Sequence, residues 1–466
     1  MNMKMRMLAV ILCLAMLLGV LTACSQTAAQ PSSEDKQTTQ EPAPAETAEP
    51  AAETQPEQDA SSDEKVKITI MEWDSGVAHT NDEFNVFFET FPEYRDKVEI
   101  EVVTGGSGPE DIVATMRKMT AAGETENMPD IITCNWAQVP EYYEMGIIRD
   151  VSDVYAEYGD QINDGVVNLM QYKEQYMGFP AEVKCKIWAY RKDMFEAAGV
   201  NPADVKTVDD LIAAGKKIQE VYPDSYIENY TEVPNGYDLF AYFTGNGARL
   251  ADEDGNYICA TDPGVREAFE FYSRMRESGV VSTTIQDFSE EWGAALNDGT
   301  LCSQVLADWF ATNHLPRLCP DMGGKWGYAL WPEEIAKGSE SGAKLMMVNK
   351  DSANGDLAIE ILTKFCYTEE CAKNLYKQIG LIPYLKASFK DPEILAPTDY
   401  WGEDRMQILG QAMELLTVYP YTPNSTLEQS IIVQYLGEYL SGTKTLDDAL
   451  QSAQDDMIAQ IGNAYN

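Results

Sequence analysis

The chain is poor in the residues on which nucleophilic and metal-dependent enzymes rely. Only two histidines occur, His79 and His314, and neither a His-Glu-x-x-His nor a Gly-x-Ser-x-Gly sequence is present. A Walker loop and a dinucleotide-binding glycine fingerprint are also absent. These absences argue against zinc proteases, serine hydrolases and nucleotide-dependent enzymes. The composition leaves a glycoside hydrolase open, because that class needs only two carboxylates.

Positively charged residues are scarce as well. Lys and Arg number 34 against 76 Asp and Glu, which gives a formal net charge of -42. Such a chain should avoid nucleic acid and bare anionic membranes, because both repel negative charge. The acidity favours solubility at an anionic cell surface over capture of a cationic substrate.

The cysteines show no spacing typical of a metal site or a disulfide framework. Of the nine, Cys13 and Cys24 fall in the N-terminal segment, which leaves seven without a Cys-x-x-Cys pair. An odd number without that spacing argues against both kinds of site. Cys366 and Cys371 lie in a helical pattern and are interpreted as packing residues. No cofactor and no metal ion is predicted.

The N-terminus has the pattern of a secretory signal peptide. Lys4 and Arg6 precede an apolar run over residues 8–23, which ends in Leu-Thr-Ala before Cys24. The run is short for a membrane-spanning helix, and no basic cluster follows it. The ending resembles the lipobox of bacterial lipoproteins, which implies cleavage after residue 23 and acylation of Cys24.

Residues 24–64 are predicted to be a disordered tether. After Cys24 the segment is rich in Gln, Ala, Pro, Glu, Thr and Ser and contains no aromatic or branched aliphatic residue. It cannot bury enough apolar area to offset its ordering entropy. A tether of this kind would keep a soluble body concentrated near the membrane.

The body from residue 65 alternates strand and helix patterns. Strands are predicted near residues 66–70, 98–103 and 129–133, and helices over 82–90 and 109–122. This alternation predicts an α/β fold with parallel sheets.

The later part of the body continues the alternation. Thr207 and Asp262 are placed as helix caps, and Pro263 suits a first helical turn. Strands are predicted over residues 301–306 and 344–349, and the chain is mostly helical thereafter. With no clear interdomain linker, the pattern indicates two lobes threaded by the chain more than once.

Short motifs recur along the body in a fixed order. They occupy residues 68–73, 128–132, 178–180, 188–199, 207–211, 252–257, 308–309, 380–383 and 442–450. Each is weakly specific alone, but their order and spacing resemble the family 1 extracellular solute-binding proteins. That resemblance implies a two-lobed, type II periplasmic-binding-protein-like α/β fold with a ligand cleft between the lobes.

The resemblance also implies how the chain is divided. Residues 65–180 and 308–348 are expected to form the N-terminal lobe, and residues 181–307 and 349–466 the C-terminal lobe. Hinge closure would remove the ligand from water and create a surface that a transporter can recognise. The expected partners are a carbohydrate and the permease subunits of an ABC importer. The protein is expected to be a monomer on the outer face of the cytoplasmic membrane, held there through its lipid anchor only.

Sugar recognition sets the expected site chemistry. Flat aromatic rings cover the C–H faces of a sugar, and polar side chains bond its hydroxyls. Family contact positions fall on loops and strand ends of this chain, where tryptophans are more often ligand platforms than elsewhere. The predicted contacts are Trp73, Asp74, Asn135, Trp136, Glu182, Lys184, Asn235, Tyr237, Asp308, Trp309, Tyr421 and Gln429.

Two positions depart from the maltose-binding members of the family. Lys184 stands where those proteins carry an acidic contact, and Gln429 stands where they carry an aromatic one. Maltose is therefore not the expected ligand, and the several aromatic candidates favour an oligosaccharide. A polyamine or peptide receptor and a glycoside-acting enzyme stay open as alternatives, as does an adhesin or sensor without transport.

Overall fold

The computed structural model describes residues 65–465 except 232–235, 337, 339–341 and 403. The predicted signal peptide, Cys24 and the predicted tether therefore lie outside the described residues. No helix within the described ranges is both long and apolar enough to span a lipid bilayer.

The strands are distributed along the whole body. They are β1 (Val66–Glu72), β2 (Val98–Thr104), β3 (Ile131–Asn135), β4 (Gln171–Tyr172), β5 (Gln175–Tyr176), β6 (Phe179–Glu182), β7 (Lys186–Arg191), β8 (Glu228–Asn229), β9 (Val281–Ser282), β10 (Ser303–Ala307), β11 (Trp326–Ala329) and β12 (Lys344–Val348).

The helices separate most of these strands and fill the C-terminal part. They are α1 (Val77–Thr90), α2 (Pro109–Ala122), α3 (Val139–Met145), α4 (Ser152–Tyr158), α5 (Asp164–Met170), α6 (Lys192–Ala197), α7 (Val208–Val221), α8 (Gly236–Asn246), α9 (Pro263–Ser278), α10 (Glu290–Asp298), α11 (Leu315–Leu318), α12 (Glu333–Ala336), α13 (Gly355–Tyr367), α14 (Glu369–Ile379), α15 (Asp404–Glu414), α16 (Ser425–Leu440) and α17 (Leu446–Gln460).

Helix ends follow the capping chemistry in the sequence. The Thr207 side chain accepts a hydrogen bond from the Asp210 N–H at the start of α7, and Asp262 caps α9 in the same way. Helix α2 has the predicted bounds, with a proline in its first turn. Helix α1 begins at Val77, five residues before the prediction, and no capping side chain marks this start, because the N-cap residue is Gly76.

Two sheets organise the body. The first has the order β2-β1-β3-β12-β6, with β1 parallel to β2 and β3, and β12 antiparallel to β3 and β6. The second has the order β10-β7-β11 and is antiparallel. The mixed first sheet and the antiparallel second sheet differ from the purely parallel sheets predicted from the alternation. The chain passes from the first sheet to the second between β6 and β7 and returns between β11 and β12.

The packing departs from the expected division of the chain at two places. Strand β11 lies within the segment assigned to the N-terminal lobe, but it pairs with β7 in the second sheet. Helix α13 follows residue 349 but contacts β6 and β12 of the first sheet, and α14 contacts α1. The buried face of α13 includes Ile361 and Leu362, and its Phe365 ring stacks on Phe84 at 5.6 Å. A helix with an apolar face therefore packs on a sheet face that is still exposed, even when the helix and the sheet come from distant segments of the chain.

Candidate functional site

Four strand ends meet at one edge of the first sheet. Lys344 begins β12 and pairs across the sheet with Asn135 at the end of β3 and Glu182 at the end of β6. Glu72 ends β1, the strand beside β3. The sheet register thus collects polar side chains from distant parts of the sequence at this edge.

Lys344 is the centre of a buried charge cluster. Its Nζ lies 2.9 Å from Glu182 Oε1, 3.2 Å from Glu83 Oε2 and 3.5 Å from Glu72 Oε2. The side chain of Lys344 is 1% exposed and those of Glu72 and Glu83 are 0% exposed. Three acidic groups from β1, α1 and β6 therefore share one buried ammonium group, and only Glu182, at 13% exposure, keeps some contact with water.

The protonation of this cluster follows from burial and charge together. Burial raises the pKa of Glu83 to about 8 against the opposing attraction of Lys344. Burial would also raise the pKa of Glu182, but Lys184 and Lys344 outweigh it and lower that pKa below its usual range. At pH 7 Glu83 is therefore protonated and Glu182 is ionised.

The cluster contains three side chains of metal-binding type. Ligand atoms of His79, Glu83 and Glu182 lie within 4.8 Å of one another. The Lys344 ammonium already contacts both glutamates, at 3.2 and 2.9 Å. Its positive charge occupies the position where a metal ion would otherwise be held by these carboxylates.

The first crossover brings three predicted contacts together. Lys184 Nζ lies 3.1 Å from Glu182 Oε2, with the two side chains 16% and 13% exposed. The Asp308 N–H donates to the Cys185 carbonyl at 3.0 Å, which places Asp308 beside the same crossover. Asp308 is 1% exposed, and burial raises its pKa to about 7 although Lys184 opposes the shift. These groups offer both acceptors and donors at the junction between the sheets.

Trp309 and Phe288 form an aromatic platform next to this crossover. Their ring centroids are 6.2 Å apart and the planes differ by 6°, while His314 meets Trp309 edge-on at 5.1 Å. Phe288 is 57% exposed and has φ +63°, a left-handed conformation that is strained for a bulky residue. An exposed ring held in a strained conformation is typical of a functional position.

A buried hydrogen-bond network holds the Phe288 loop. Asn229 Nδ2 donates to Asp287 Oδ1 at 2.8 Å and to the Ile285 carbonyl at 2.9 Å. Gln304 Nε2 donates to Asn229 Oδ1 at 2.7 Å, which fixes the amide orientation. The residue before Phe288 is therefore anchored to β8 and, through Gln304, to β10.

Trp73 and Asp74 lie just beyond β1, as predicted. Trp73 is half-buried against the core, and its N–H donates to Glu72 Oε1 at 3.1 Å. Asp74 is exposed and accepts a hydrogen bond from Thr104 Oγ1. Trp73 is thereby linked to the Lys344 cluster through the adjoining glutamate.

The remaining predicted contacts form a second group. Trp136 and Tyr421 line one cavity of about 540 Å³, and both are buried. Gln429 packs against the backbone of Gly236, where a Cβ would lie 2.8 Å from its Cδ.

Asn135 and two residues near the start of α8 are the last of the predicted contacts. Asn135 is 8% exposed and is approached closely by Gly342, whose φ of +79° suits glycine. Asn235 lies outside the described residues, and so does the side chain of Tyr237.

Sequence reasoning missed several residues of the site. Phe288 carried no motif, and Glu72, Glu83 and Lys344 read as ordinary strand or helix positions. The available signals were weak: a lysine opening an apolar strand, and His79 spaced four residues before Glu83 on a helix. Neither signal indicates that these residues meet, because the sheet register alone brings them together.

Comparisons with known proteins agree on one family. Residues 87–400 match the family model described as bacterial extracellular solute-binding protein. The arabinooligosaccharide-binding protein of Halalkalibacterium halodurans is 21% identical over 346 residues, which cover 72% of this chain and 77% of that protein. The diacetylchitobiose binding protein of Streptomyces coelicolor is 26% identical over 281 residues, which cover 58% of this chain and 64% of that protein.

Solved structures show the same two-lobed fold. The galacto-N-biose-/lacto-N-biose I-binding protein of the ABC transporter from Bifidobacterium longum, in complex with lacto-N-biose, superposes with a TM-score of 0.68. The two chains are 20% identical, and the match covers 86% of this chain and 99% of that one. The two-lobed α/β fold expected from the motif order is thereby confirmed. With the family model covering more than half of its length, this chain belongs to the bacterial extracellular solute-binding proteins.

Proposed function

We propose that the protein captures a carbohydrate, in particular an oligosaccharide, at the junction of its two lobes and delivers it to an ABC importer. The observation that carries this proposal is the platform of Trp309 and the exposed, strained Phe288. Beside it lie the polar groups of Glu182, Lys184 and Asp308. Flat apolar rings next to charged hydrogen-bonding groups match the two kinds of surface that a sugar presents.

Recognition would divide between these groups. The parallel rings cover an apolar sugar face, while the Lys184 ammonium donates to a hydroxyl and the Glu182 carboxylate accepts from one. Protonated Asp308 would donate a hydrogen bond and ionised Asp308 would accept one, and its pKa of about 7 makes both forms available. A ligand lacking the matching hydroxyls would leave buried polar groups unpaired, which gives specificity.

The relatives support a saccharide ligand. Those reported above are described as binding arabinooligosaccharides, diacetylchitobiose and lacto-N-biose. Their sugars differ, so the ligand class carries over to this chain while the individual sugar does not. Belonging to a family of binding proteins also supports capture without cleavage of the ligand.

The proposed anchor is the lipid on Cys24. A tether over residues 24–64 would let the body reach the importer while staying at the outer face of the membrane. Replacing Cys24 with serine should abolish incorporation of labelled palmitate, as measured by autoradiography of the immunoprecipitated protein. Equal labelling of the wild type and Cys24→Ser, or no labelling of either, would contradict the lipoprotein assignment.

A thermal-shift screen tests the ligand class. The purified protein is heated with mono- and oligosaccharides, polyamines and peptides, each in large excess. A ligand that binds only the folded state raises the midpoint by several degrees. We expect one class of saccharide to do so, and the shift to be lost in Trp309→Ala and reduced in Phe288→Ala.

A matched variant controls for loss of an aromatic ring. Tyr435 is half-buried and its hydroxyl bonds Asp456 at 3.0 Å, away from the platform. Tyr435→Ala should keep the saccharide shift. A flat response to every saccharide together with a shift for a polyamine or peptide would overturn the proposed ligand class. Release of shorter sugars during prolonged incubation would show an enzyme instead.

A further inference from the structure

The turn that follows Trp309 has an uncommon helical geometry. Residues Phe310–His314 form a single π-helical turn between strand β10 and helix α11. Such turns are rare and occur frequently at functional sites. Here the turn brings the His314 ring back to Trp309, five residues earlier, with the ring centroids 5.1 Å apart and the planes at 78°.

The His314 ring links Trp309 to the aromatic core. It meets Trp309 edge-on and stacks on Phe310 at 6.0 Å with planes 11° apart. Phe310 in turn packs on Trp292 of α10 at 4.5 Å, and both of these rings are 1% exposed. Trp309 itself is only half-buried, so His314 connects it to rings whose positions the core fixes.

Arg317 sets the protonation of this histidine. Its Nη2 lies 2.9 Å from His314 Nδ1. A guanidinium group can only donate, so Nδ1 accepts and the ring is neutral, with its hydrogen on Nε2. Burial and then the charge of Arg317 lower the pKa of His314 below its ordinary value of 6.5. Protonation would place a second donor and a second positive charge against Arg317, and the ring would have to turn away.

Acidic groups near His314 leave it without a compensating charge. In the part of the chain that the structure describes, no carboxylate pairs with His314, and its pKa responds to burial and Arg317. The titratable groups on the segments packed around it are Asp287 before Phe288, Glu290, Glu291 and Asp298 on α10, Asp308 at the end of β10, Asp321 in the next turn and Tyr328 on β11. Of these, Asp308 also has a pKa of about 7, so an experiment on His314 has to separate the two groups.

We propose that His314 is a positioning residue, which holds the Trp309 ring in the orientation that stacks on the sugar. The inference rests on the proposed function, because Trp309 belongs to the platform described there. Neutral His314 supports the indole ring through its edge-on contact, and the bond from Arg317 keeps the imidazole in place. Acid would protonate His314, break that bond and release the Trp309 ring, so saccharide binding should weaken.

The position of Trp309 can be measured without any ligand. Protein grown with 5-fluorotryptophan gives fluorine resonances of its tryptophans, and the resonance missing in Trp309→Phe belongs to Trp309. His314→Ala should move this resonance at pH 7, and His314→Phe, which keeps a flat ring, should move it less. In the wild type the resonance should move as pH falls from 7 to 5, and in His314→Phe it should stay constant.

Calorimetry measures the effect on binding, with arabinotriose, diacetylchitobiose and lacto-N-biose as probes. His314→Ala should weaken each probe that binds by up to about tenfold, the size expected for loss of an edge-on aromatic pair. His314→Phe should recover most of this loss at pH 7. The ratio of wild-type to His314→Phe affinity should fall between pH 7 and 5, and Asp308 cancels in this ratio because both proteins contain it.

Arg317→Met tests the origin of the pH dependence. It removes the charge that the protonated ring would meet, so the loss of affinity between pH 7 and 5 should be smaller than in the wild type. The control is Arg274→Met, because Arg274 is 50% exposed and pairs with Asp209 on α7. That variant should keep the wild-type pH profile.

A Trp309 resonance and saccharide affinities that are the same in the wild type, His314→Ala and His314→Phe would overturn the positioning role and keep the proposed function. An equal pH dependence in the wild type and His314→Phe would also overturn it. A wild-type protein that binds no saccharide would overturn the proposed function, and with it the role of His314 in sugar binding. Melting curves of each variant at pH 7 and 5 establish that weaker binding does not come from unfolding.

Discussion

The two lobes handle buried carboxylates in different ways. On the first sheet Glu72, Glu83 and Glu182 surround the ammonium of Lys344 at 2.9 to 3.5 Å. Beside the second sheet Glu228 is also buried, but it accepts a hydrogen bond from the Val305 N–H at 2.7 Å and another from the Gln304 amide. The described part of the chain contains no ion pair to Glu228. Burial raises the pKa of Glu228 well above its usual range.

The difference separates two ways of positioning a site. A central cation attracts every carboxylate around it, so Lys344 ties β1, α1 and the first crossover together through charge. Hydrogen bonds from amide groups depend strongly on angle and involve no ammonium or guanidinium group. The network of Glu228 and Asn229 therefore sets the orientation of the Phe288 loop. Removal of the cation should therefore destabilise the whole lobe, whereas removal of an amide should alter one loop.

The largest expected effect comes from Lys344→Met. It leaves buried carboxylates without their cation, so the free energy of unfolding should fall by about 3–5 kcal/mol. Urea denaturation followed by tryptophan fluorescence measures this loss. The control is Lys67→Met: Lys67 pairs with Glu101 at 2.8 Å, and both side chains are about half exposed, so the loss should be at most about 1 kcal/mol. Equal losses in the two variants would contradict the central role of Lys344.

An intermediate effect is expected from Asn229→Ala. The change leaves Asp287 and Gln304 without a shared partner, which should cost about 1–3 kcal/mol of stability. Because the Phe288 loop loses its anchor, saccharide affinity should fall as well, as measured by calorimetry. Asn81→Ala removes an exposed amide that bonds only within its helix, and should change neither quantity. Intact affinity in Asn229→Ala would show that the network does not position Phe288.

The smallest effect at neutral pH is expected from Glu83→Gln. Glu83 is protonated at pH 7, so an amide of similar shape should be tolerated. Its pKa of about 8 exceeds that of a glutamate in the unfolded chain, so between pH 5 and 8 the native state binds more protons than the unfolded state. The free energy of unfolding of the wild type therefore falls as pH rises through this interval. Glutamine does not titrate, so the thermal-unfolding midpoint of Glu83→Gln minus that of the wild type should increase as pH rises from 5 to 8.

Asp210→Asn provides the opposite sign at a site that does not contact the Lys344 cluster. Hydrogen bonds from Thr207 lower the pKa of Asp210, so its contribution is complete above the unfolded value near pH 3.8 and is lost only in more acidic solution. The difference in thermal-unfolding midpoint between Asp210→Asn and the wild type should stay constant between pH 5 and 8. A rising difference for both variants would show that a global pH effect, and not Glu83, is responsible.

Much of the fold could be predicted because its signals are local. Strand β1, helix α2 and the capped starts of α7 and α9 depend on alternation, proline placement and side chains a few residues apart. Trp188 lies within β7 and is 1% exposed, as expected for a large apolar residue inside a strand. The sheet that β11 joins could not be predicted in this way, because it depends on which edge of β7 is unpaired.

The residues of the candidate site also differ in whether local sequence signals could predict them. The crossover residues Glu182, Lys184 and Asp308 were found because they lie next to recognisable motifs. Phe288 and Lys344 were not, since nothing in their own sequence surroundings marks them. Phe288 matters through its stacking on Trp309, and Lys344 through carboxylates that lie 162 to 272 residues earlier in the chain.

The sequence by itself determined the α/β class, the helix boundaries set by caps, the strongly acidic charge, and the order of motifs that marks the family. All of these depend on residue type and short-range periodicity. The tertiary structure alone decided that three glutamates share one buried lysine, that a phenylalanine is presented to solvent beside Trp309, and that Trp136 and Tyr421 line one cavity. These features depend on sheet register and on packing between distant segments, and the free energy of such contacts is fixed only once the chain has folded.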